Sequence, residues 1–344
     1  MEHAMKAVGF NQPLPIADPR ALVDLDLPDP DYGEHDLLVE VQAIAVNPVD
    51  TKVRASAQPA AGAWRIPGWD AVGRVRAVGS RVTGFKPGDR VFYAGAIDRQ
   101  GSCAELQAVD ARIAAHAPAT LGDEQAAALP LTALTAWETL FDRLRVGQPV
   151  AGAADAIVVI GGAGGVGSIT IQLARALTGL TVIATASRPE SVAWVTKLGA
   201  HHVIDHRQPL APQVEALGLG APAFVFSTTH TDRYLDDIVA LIAPQGRIAL
   251  IDDPKSLDIL PLKRKSLSIH WEFMFTRPLL GTADIARQHE ILREVAGLAD
   301  QGKIASTHAQ SLGTINAQNL RRAHALLESG QAIGKITLAG FAPQ

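Results

Sequence analysis

The chain has 344 residues, a formal net charge of −4 at pH 7 and a single cysteine, Cys103. Its length exceeds the size at which one hydrophobic core stops growing, so we expect two domains. The small negative charge gives no reason to expect nucleic acid or an anionic membrane as a partner. One cysteine excludes an internal disulfide and a structural zinc site of four cysteines.

The sequence shows no targeting or membrane-spanning signal. Residues 1–10 lack the long apolar core of a secretory signal. Glycines and polar residues interrupt every apolar run before it approaches the ~20 residues that a membrane helix needs. The single cysteine suits a reducing compartment. We therefore expect a cytoplasmic protein that does not associate with membranes.

The first third of the chain is rich in short β-type segments separated by proline, glycine and aspartate. The predicted strands cover residues 37–45, 73–78, 90–93 and 104–109. A proline that presets φ and a glycine that reverses the chain predict a turn over 84–89. The pattern favours a compact, mostly antiparallel β domain.

From about residue 122 the pattern changes. Helical apolar spacing covers 123–129 and 134–144, with Thr135 near the predicted start of the second helix. Strands then alternate with helices as far as residue 251, which predicts βαβ units and a parallel sheet. A further strand, suited to a sheet edge, is predicted over 267–275.

The last part of the chain returns to a β pattern. Helices are predicted over 283–301 and 317–327, and strands over 306–312 and 335–339. We therefore expect the C-terminal segment to rejoin the first domain. The predicted domain bounds are residues 1–129, 130–276 and 277–344.

Residues 157–168, Ile-Val-Val-Ile-Gly-Gly-Ala-Gly-Gly-Val-Gly-Ser, form the most informative segment. A β-branched strand runs into a glycine cluster, and residues 169–177 are predicted to be a helix. Gly162, Gly164 and Gly167 have the GxGxxG spacing of a dinucleotide-binding turn. They would permit a tight turn, the approach of a pyrophosphate to the backbone, and close packing of the helix on the strand.

The backbone of the same turn supplies the binding groups. The N–H groups at the start of the helix, including those of Gly165 and Val166, would face the phosphates of the nucleotide. The alternative is a glycine-rich turn in a parallel sheet that binds nothing.

The residues after the next strand indicate which dinucleotide is bound. NAD-binding proteins place an acidic residue there, about 20 residues past the glycines, to accept from the ribose 2′-hydroxyl. Here Ser187 and Arg188 follow the strand 181–185, without an acidic residue. A guanidinium can bind a 2′-phosphate with two hydrogen bonds, so the sequence predicts NADPH. His206, after the following strand, could approach the same phosphate; alternatively, Arg188 caps a surface turn and His206 is simply exposed.

Seven short segments together are more specific than any one of them. They are residues 46–53, 66–70, 84–91, 134–137, 161–167, 197–200 and 334–336. In this order they resemble the medium-chain dehydrogenase/reductase superfamily, in particular its zinc-free branch of quinone oxidoreductase-like proteins. The resemblance implies an α/β protein with a GroES-like β-rich catalytic domain and a Rossmann domain built on a doubly wound parallel sheet. It also implies a cleft for cofactor and substrate between the two domains.

The resemblance bears on zinc as well. Zinc-dependent relatives supply a cysteine ligand near the position of Asn47 and a histidine in a Gly-His-Glu motif. In this chain that motif reads Gly68-Trp69-Asp70. An indole offers a donor and no lone pair to a metal. We therefore expect no catalytic zinc.

Without a Lewis acid to generate an alkoxide, alcohol oxidation loses its main driver. Reduction remains feasible, because the cofactor carries the hydride and the protein needs only to orient it and to stabilise developing negative charge. Quinones and α,β-unsaturated carbonyls suit this chemistry, so we expect such a small molecule as the substrate.

The candidate catalytic residues lie in the first domain. Asn47 matches a family position near the nicotinamide and could donate its amide to a substrate carbonyl. Lys52 could stabilise an enolate, or supply a proton if burial lowers its pKa. Tyr93 closes a strand at the expected rim of the cleft. Thr135, in the predicted second domain, is a candidate cofactor-binding residue, because it matches a family threonine near the nicotinamide and phosphates.

Each of these four residues has a structural alternative. The alternatives are a turn for Asn47, a solvated side chain for Lys52, core packing for Tyr93 and a helix N-cap for Thr135. Two other functions also remain open at this stage: an NADP-dependent alcohol or ketone dehydrogenase, and a non-catalytic protein of the same fold that senses NADPH or binds RNA. Pairing of the edge strand over 267–275 would give a homodimer, as the resemblance suggests.

Overall fold

The computed structural model describes residues 4–341, which separate into two compact units. The first unit comprises the described residues of Met1–Leu131, Phe275–Gly302 and Ser306–Gln344. The second unit comprises Thr132–Met274 and the short segment Lys303–Ala305. Each unit has its own hydrophobic core.

The N-terminal part of the chain is mostly β. Its elements are β1 (Ala4–Gly9), β2 (Val23–Pro28), β3 (Asp36–Val46), α1 (Pro48–Ser56), β4 (Ala71–Val78), β5 (Arg90–Tyr93), β6 (Leu106–Asp110), β7 (Ala114–His116) and α2 (Asp123–Ala127). The strands predicted in this region are confirmed, although β6 begins two residues later than expected.

Helix α1 was not predicted from the sequence, which gave a turn at Asn47-Pro48 as one alternative. The backbone of Asn47 is extended at the N-cap position, and Pro48 begins the helix. Proline is tolerated there because its missing N–H would have no intrahelical acceptor. The Asp50 carboxylate accepts from the Asn47 N–H at 2.7 Å, which satisfies a donor at the helix start.

The central part of the chain alternates between strands and helices. Its elements are α3 (Pro130–Trp137), β8 (Ala154–Ile160), α4 (Gly165–Leu177), β9 (Thr181–Thr185), α5 (Pro189–Lys197), β10 (His202–Ile204), α6 (Leu210–Ala216), β11 (Pro222–Ser227), α7 (Thr231–Leu241), β12 (Arg247–Leu250) and β13 (Ser268–Trp271).

The predicted start of the helix over 134–144 was wrong. Helix α3 begins at Pro130, and the chain continues through a π-helical turn at Glu138–Arg143. Residues 126–140 are all buried, including the polar ones, so the apolar spacing in the sequence does not mark where the helix begins. Thr135 therefore lies inside the helix and is not its N-cap.

The sheet of the second unit has the order β10-β9-β8-β11-β12-β13. Every neighbouring pair is parallel, which confirms the predicted parallel sheet. This is the order of the doubly wound dinucleotide-binding fold, in which the strand order reverses beside the first strand. Ligands of such sheets bind at the carboxyl ends of the strands near the reversal, which here lies at the end of β8.

The C-terminal part of the chain adds helices and strands to the first unit. Its elements are α8 (Thr276–Leu280), α9 (Arg287–Asp300), β14 (His308–Ser311), α10 (Ala317–Glu328) and β15 (Lys335–Ala339). The strand expected over 267–275 is shorter than predicted and ends at Trp271. Phe275 instead packs edge-on against Trp69, with ring centroids 6.3 Å apart.

The main sheet of the first unit has the order β14-β15-β3-β4-β5-β7, and β6 also pairs with β3. Strand β15 is antiparallel to β3, with Ile336 opposite Val46. This register places Lys335, the first residue of β15, beside the end of β3. Among residues 4–341, no helix is both long enough and apolar enough to cross a membrane.

Candidate functional site

The glycine turn of the second unit joins β8 to α4. Gly161 takes the left-handed conformation, with φ of +80°, and an added Cβ would lie 2.2 Å from the Thr228 hydroxyl oxygen. Its N–H donates to the Thr185 hydroxyl at 3.0 Å, and its carbonyl accepts from the Gly164 N–H at 3.1 Å. The tight turn therefore belongs to Gly161, one residue before the GxGxxG motif, and not to Gly162.

Two glycines of the motif allow close packing. A Cβ on Gly162 would lie 2.9 Å from the Ala184 Cβ, and a Cβ on Gly167 would lie 2.3 Å from the Gly161 carbonyl oxygen. The contact at Gly167 is with backbone, which cannot move aside as a side chain can. Any larger residue at this position would push α4 away from the turn.

Helix α4 presents free N–H groups beyond the end of β8. Gly164 is its N-cap, and the first N–H with an intrahelical acceptor is that of Ser168, which donates to Gly164 at 2.9 Å. The N–H groups of Gly165, Val166 and Gly167 lie before that point in the first turn, where a helix has no acceptors of its own. Their partial positive charge favours an anion.

A polar pair lies at the carboxyl ends of β9 and β10, the two strands on one side of β8. Ser187 follows β9 and His206 follows β10, and the Ser187 Oγ lies 3.1 Å from the His206 Nε2. Strands β9 and β10 are parallel neighbours, so their ends meet at the same edge of the sheet. The structure thus brings together two of the residues predicted to bind the cofactor phosphate.

The surroundings of His206 are cationic. Burial lowers the pKa of His206 below its ordinary 6.5, and Arg207, Arg233 and Arg188 lower it further against the opposing effect of Asp205. Arg207 is held by Asp205, with a shortest N···O distance of 2.7 Å. An anion near His206 would relieve the repulsion among these cations.

Of the arginines near His206, Arg188 was predicted from the sequence to bind the cofactor phosphate. The side chain of Arg188 contacts Glu190 at 3.3 Å and is partly exposed. Arg233 was not predicted to belong to the site. The only sequence signal was its position in the first turn of α7, directly after a strand of the parallel sheet.

The first unit contains a buried network formed by Lys335, Asn47 and Asp70, which we call the lysine network. The Lys335 ammonium donates to the Val46 carbonyl at 3.0 Å, to the Asp70 carboxylate at 2.9 Å and to the Asn47 Oδ1. The Asn47 Nδ2 donates to the same Asp70 oxygen at 2.8 Å. The ammonium therefore has one acceptor for each of its three hydrogens.

The lysine network is fully enclosed. Asn47 is 1% exposed, Asp70 0% and Lys335 3%. Both ends of the Asn47 amide are bound inside the network, so the donor predicted to meet a substrate carbonyl already has an acceptor. Lys335 and Asp70 were missed as functional residues, although each lies in a segment that carries the family resemblance.

Asp70 also fixes the start of α3. Its second carboxylate oxygen accepts from the Leu131 N–H at 2.7 Å, and Leu131 is the second residue of that helix. A carboxylate at this position satisfies a free N–H and interacts favourably with the helix dipole. Thr135, the predicted cofactor residue, lies in the same helix and is buried.

Two more titratable groups lie close to the lysine network. Burial raises the pKa of Asp50 to about 7, and the neighbouring Asp70 also raises it, against the opposing effects of the Asn47 N–H and of Lys335. Burial and the Asp50 carboxyl raise the pKa of the Cys103 thiol. The thiol is therefore kept protonated, which makes it a poor nucleophile.

The other two candidate catalytic residues lie in contrasting environments. Lys52 is exposed on α1 and is not buried. Tyr93 is 0% exposed, burial raises its pKa, and its hydroxyl has no hydrogen-bond partner among residues 4–341. Tyr93 therefore packs in the core of the first unit.

The second unit buries a pair of carboxyl groups that the sequence did not reveal. Glu138, in the π-helical turn, and Glu272, just after β13, are 0% and 3% exposed. Burial and the hydrogen-bonded carboxyl of Glu138 raise the pKa of Glu272 to about 8. Arg143 contacts Glu272 at 2.8 Å. The two glutamates therefore share a proton at neutral pH.

Comparison with known proteins agrees with this architecture. The family of the alcohol dehydrogenase GroES-like domain matches residues 33–129, and that of the zinc-binding dehydrogenases matches residues 165–284. A zinc-type alcohol dehydrogenase-like protein of Staphylococcus aureus is 39% identical over 336 residues, which cover 97% of this chain and 99% of that protein. The chain belongs to the medium-chain dehydrogenase/reductase superfamily.

Solved structures of this superfamily share the whole fold. A protein from Rhizobium etli, described as a zinc-dependent alcohol dehydrogenase, is 58% identical, with a TM-score of 0.98 and complete coverage of both chains. The Escherichia coli quinone oxidoreductase, solved in complex with NADPH, is 26% identical, with a TM-score of 0.79 and coverage of 97% and 99%. Membership in the superfamily makes this chain an oxidoreductase with a GroES-like domain and a Rossmann domain.

The names of several relatives contain zinc, but the residues of this superfamily member do not fit that metal. The Trp69 Nε1 donates to the Ala96 carbonyl at 3.1 Å, and the Asn47 oxygen accepts from an ammonium. The positive charge of Lys335 would repel a divalent cation. Within residues 4–341, no cluster of three or more histidine, cysteine, aspartate or glutamate side chains is arranged to hold a metal ion.

Proposed function

We propose that this chain is an NADPH-dependent reductase that transfers hydride to quinones or α,β-unsaturated carbonyls without zinc. The observation that carries this proposal is the Ser187–His206 contact within a cluster of arginines. It lies where a protein that binds NAD would place a carboxylate for the ribose hydroxyl. A carboxylate there would repel a 2′-phosphate, whereas serine, arginine and histidine attract it.

The residues of the second unit fit a dinucleotide. The N–H groups of Gly165, Val166 and Gly167 would bind the pyrophosphate. Ser187, Arg188 and His206 would bind the 2′-phosphate, with Arg233 adding positive charge. Thr135 would contact the nicotinamide end, as the family resemblance implies. The relative from Escherichia coli was solved with NADPH, which supports the same cofactor here.

When bound, NADPH supplies a hydride to a carbon of the conjugated acceptor. The protein then has to orient the two molecules and to stabilise the charge that develops on the acceptor oxygen. Of the three candidate catalytic residues, Lys52 is the one with an exposed side chain. We propose its ammonium for charge stabilisation, because Asn47 is bound within the lysine network and Tyr93 lies in the core.

The residues at the positions of the zinc ligands favour reduction over alcohol oxidation. Alcohol oxidation in zinc-dependent dehydrogenases relies on a metal to lower the pKa of the bound alcohol. The positions of Asn47 and Trp69 offer no metal ligand, and Lys335 adds a fixed positive charge. Reduction of an acceptor that is already activated by conjugation has no such requirement.

The test is a spectrophotometric screen of acceptors with NADPH and NADH side by side, with and without a chelator. We expect NADPH oxidation with 1,4-benzoquinone or a simple enone, a preference for NADPH of at least tenfold, and no loss in chelator. Alcohol-dependent reduction of NADP without enone turnover would favour a dehydrogenase instead. Activity that is lost in chelator and restored by zinc would refute the proposal.

We also propose that the protein forms a homodimer through the edge strand β13. Trp271 and Phe273 at this edge are 54% and 46% exposed, and an edge strand offers unpaired backbone groups. Light scattering coupled to gel filtration should give twice the mass of the 36.3 kDa chain. A Trp271→Lys variant that has the same mass as the wild type would contradict pairing at this edge.

A further inference from the structure

Zinc appears in the names of several relatives, whereas in this chain a lysine binds Asn47, which corresponds to the position of a zinc ligand in the zinc-dependent relatives. The family resemblance places Asn47 near the position where zinc-dependent relatives have a cysteine ligand, and Asp70 in the motif that supplies their histidine. The side chains of both residues are bound by the Lys335 ammonium. The protein thus holds a cation of its own between these two positions.

The contacts of the ammonium are those of a buried ion. Its three hydrogens meet a carbonyl, an amide oxygen and a carboxylate, so the desolvation of the charge is offset by hydrogen bonds in all three directions. Asp70 supplies the compensating negative charge at 2.9 Å. The side chains are 3% and 0% exposed, so water cannot replace either partner.

We infer that Lys335 is a built-in cation that does the structural work of a metal, binding Asn47 and Asp70 together and so holding the start of α3. Truncation of Lys335 would leave the Val46 carbonyl, the Asn47 amide oxygen and the Asp70 carboxylate around a cavity with excess negative charge. Oxygen donors of this kind bind Mn²⁺ and similar hard cations.

A buried cation and a side chain that only fills space respond differently to substitution. If Lys335 served only to fill space, any apolar side chain of similar length would replace it. If it serves as a cation, the replacement must carry positive charge, or the negative charge of Asp70 must be removed as well. Breaking one side of a buried ion pair leaves the partner without compensation.

The first experiment compares the full-length wild-type protein with Lys335→Ala by thermal unfolding. We expect the Tm of the variant to fall by roughly 10 °C. n-Propylammonium, which has the atoms removed by the truncation, or Mn²⁺ should raise the Tm of the variant by several degrees. Neither should raise the Tm of the wild type, and a chelator should not lower it. Electron paramagnetic resonance would report Mn²⁺ binding by the variant directly.

Matched variants separate the possible causes. Lys335→Met keeps the length of the side chain without the charge, so it should lose stability and gain nothing from either cation. Lys86→Ala, a truncation of an exposed lysine in the same unit, should leave the Tm unchanged. If Lys335→Ala does not fold, the double variant Lys335→Met/Asp70→Asn should have a higher Tm than Lys335→Met, because both charges are then absent.

Three results with the variants would overturn the inference. They are a Lys335→Ala Tm within 2 °C of the wild type, a lowered Tm that neither cation restores, and a double variant no more stable than Lys335→Met. A wild-type Tm that depends on metal would do the same. These measurements require no acceptor and no NADPH, so they stand or fall separately from the proposed reductase activity.

Discussion

The two units build their polar sites from different parts of the chain. In the second unit the glycine turn is formed by neighbouring residues, and its binding groups are backbone N–H groups. In the first unit the lysine network joins side chains that are far apart in sequence: Asn47 and Asp70 are separated by 23 residues, and Lys335 follows Asn47 by 288. A site made of local backbone geometry can be predicted from a motif, whereas a site made of distant side chains requires the fold.

The same difference determines how each site can fail. The glycine turn fails when atoms are added, because a Cβ at Gly161, Gly162 or Gly167 would overlap atoms that are already there. The lysine network fails when a charge is removed, because its partner stays buried without compensation. The predictions below test this contrast, beginning with the largest effect.

Gly167→Val is expected to disrupt the glycine turn. An added Cβ would lie 2.3 Å from the Gly161 carbonyl oxygen and 2.7 Å from the Gly162 Cα, so α4 must move away from the turn. We expect the Kd for NADPH to rise at least 100-fold, about 2.7 kcal/mol or more. Calorimetric titration would measure it. Gly179→Ala is the control, because no heavy atom lies within 4 Å of a Cβ there. An unchanged Kd for Gly167→Val would contradict the backbone description.

Glu272→Gln tests whether the second unit, unlike the lysine network of the first, contains a buried charge without full compensation. Because the folded-state pKa of Glu272 is raised from 4.5 to about 8, stability is fully present below pH 4.5 and decreases as the pH rises toward 8. Between pH 6 and 8 the wild type should lose about 2 to 3 kcal/mol relative to Glu272→Gln.

Urea unfolding at pH 6, 7 and 8 would measure the effect of Glu272. The exposed Glu215, in α6 of the same unit, provides a control: Glu215→Gln should follow the wild type at every pH. Parallel curves for the wild type and Glu272→Gln would show that the carboxyl pair does not titrate in this range.

His324→Leu tests a buried basic residue in the first unit. His324 is 0% exposed, and neither ring nitrogen has a hydrogen-bond partner among residues 4–341. Burial and the nearby Arg54 lower its pKa to about 3. Because the folded-state pKa is depressed, the neutral ring is favoured, and stability is lost as the pH falls below 6.5.

At pH 5 the wild type should have lost about 2 kcal/mol relative to His324→Leu, compared with their difference at pH 7.5. Equilibrium unfolding at both pH values measures that difference. Asp50 titrates in both proteins, so its contribution to the pH dependence cancels. His35→Leu, a change at an exposed histidine, should show no such dependence. A constant difference between the wild type and His324→Leu would mean that His324 is not kept neutral by burial.

Arg188→Ala is expected to have the smallest effect. Arg188 is partly exposed and contacts Glu190, so its interaction with a phosphate is partly screened by solvent. We expect a roughly tenfold loss of the preference for NADPH over NADH, about 1.4 kcal/mol, with NADH kinetics unchanged. Arg207→Ala removes an equal charge that is already bound by Asp205. The preference of this variant for NADPH over NADH should change less. Equal effects of the two variants would indicate that the arginines act through their combined electrostatic field, and not that Arg188 contacts the phosphate directly.

Much of the second unit was predictable from the sequence. Strand β8, the glycine turn and helix α4 follow one another without interruption, so apolar runs and glycine spacing describe them well. The left-handed conformation of Gly161 was not predicted, because the spacing of the motif assigns the tight turn to Gly162. Where residues 126–140 are uniformly buried, periodicity carried no information about the start of α3.

The first unit was predictable as a set of strands but not as a site. The resemblance indicated Asn47, but only the register of β15 against β3 shows that Lys335 binds its amide. Tyr93 and Lys52 have the residue types of catalytic groups, and nothing local in the sequence distinguishes a core tyrosine from one at a cleft. Burial and pairing depend on residues far along the chain, so the predicted catalytic residues remain predictions.

The register of β15 against β3 has a consequence for synthesis on the ribosome. Asp70 emerges early, but the ammonium that neutralises it lies 265 residues later. Residues 132–274, which make up nearly all of the second unit, are complete before Lys335 is made. Because domains fold as units as the chain emerges, the second unit can fold while the first still contains an unneutralised aspartate. Strand β15, which leaves the ribosome after the second unit, therefore completes the interior of the domain that was begun first.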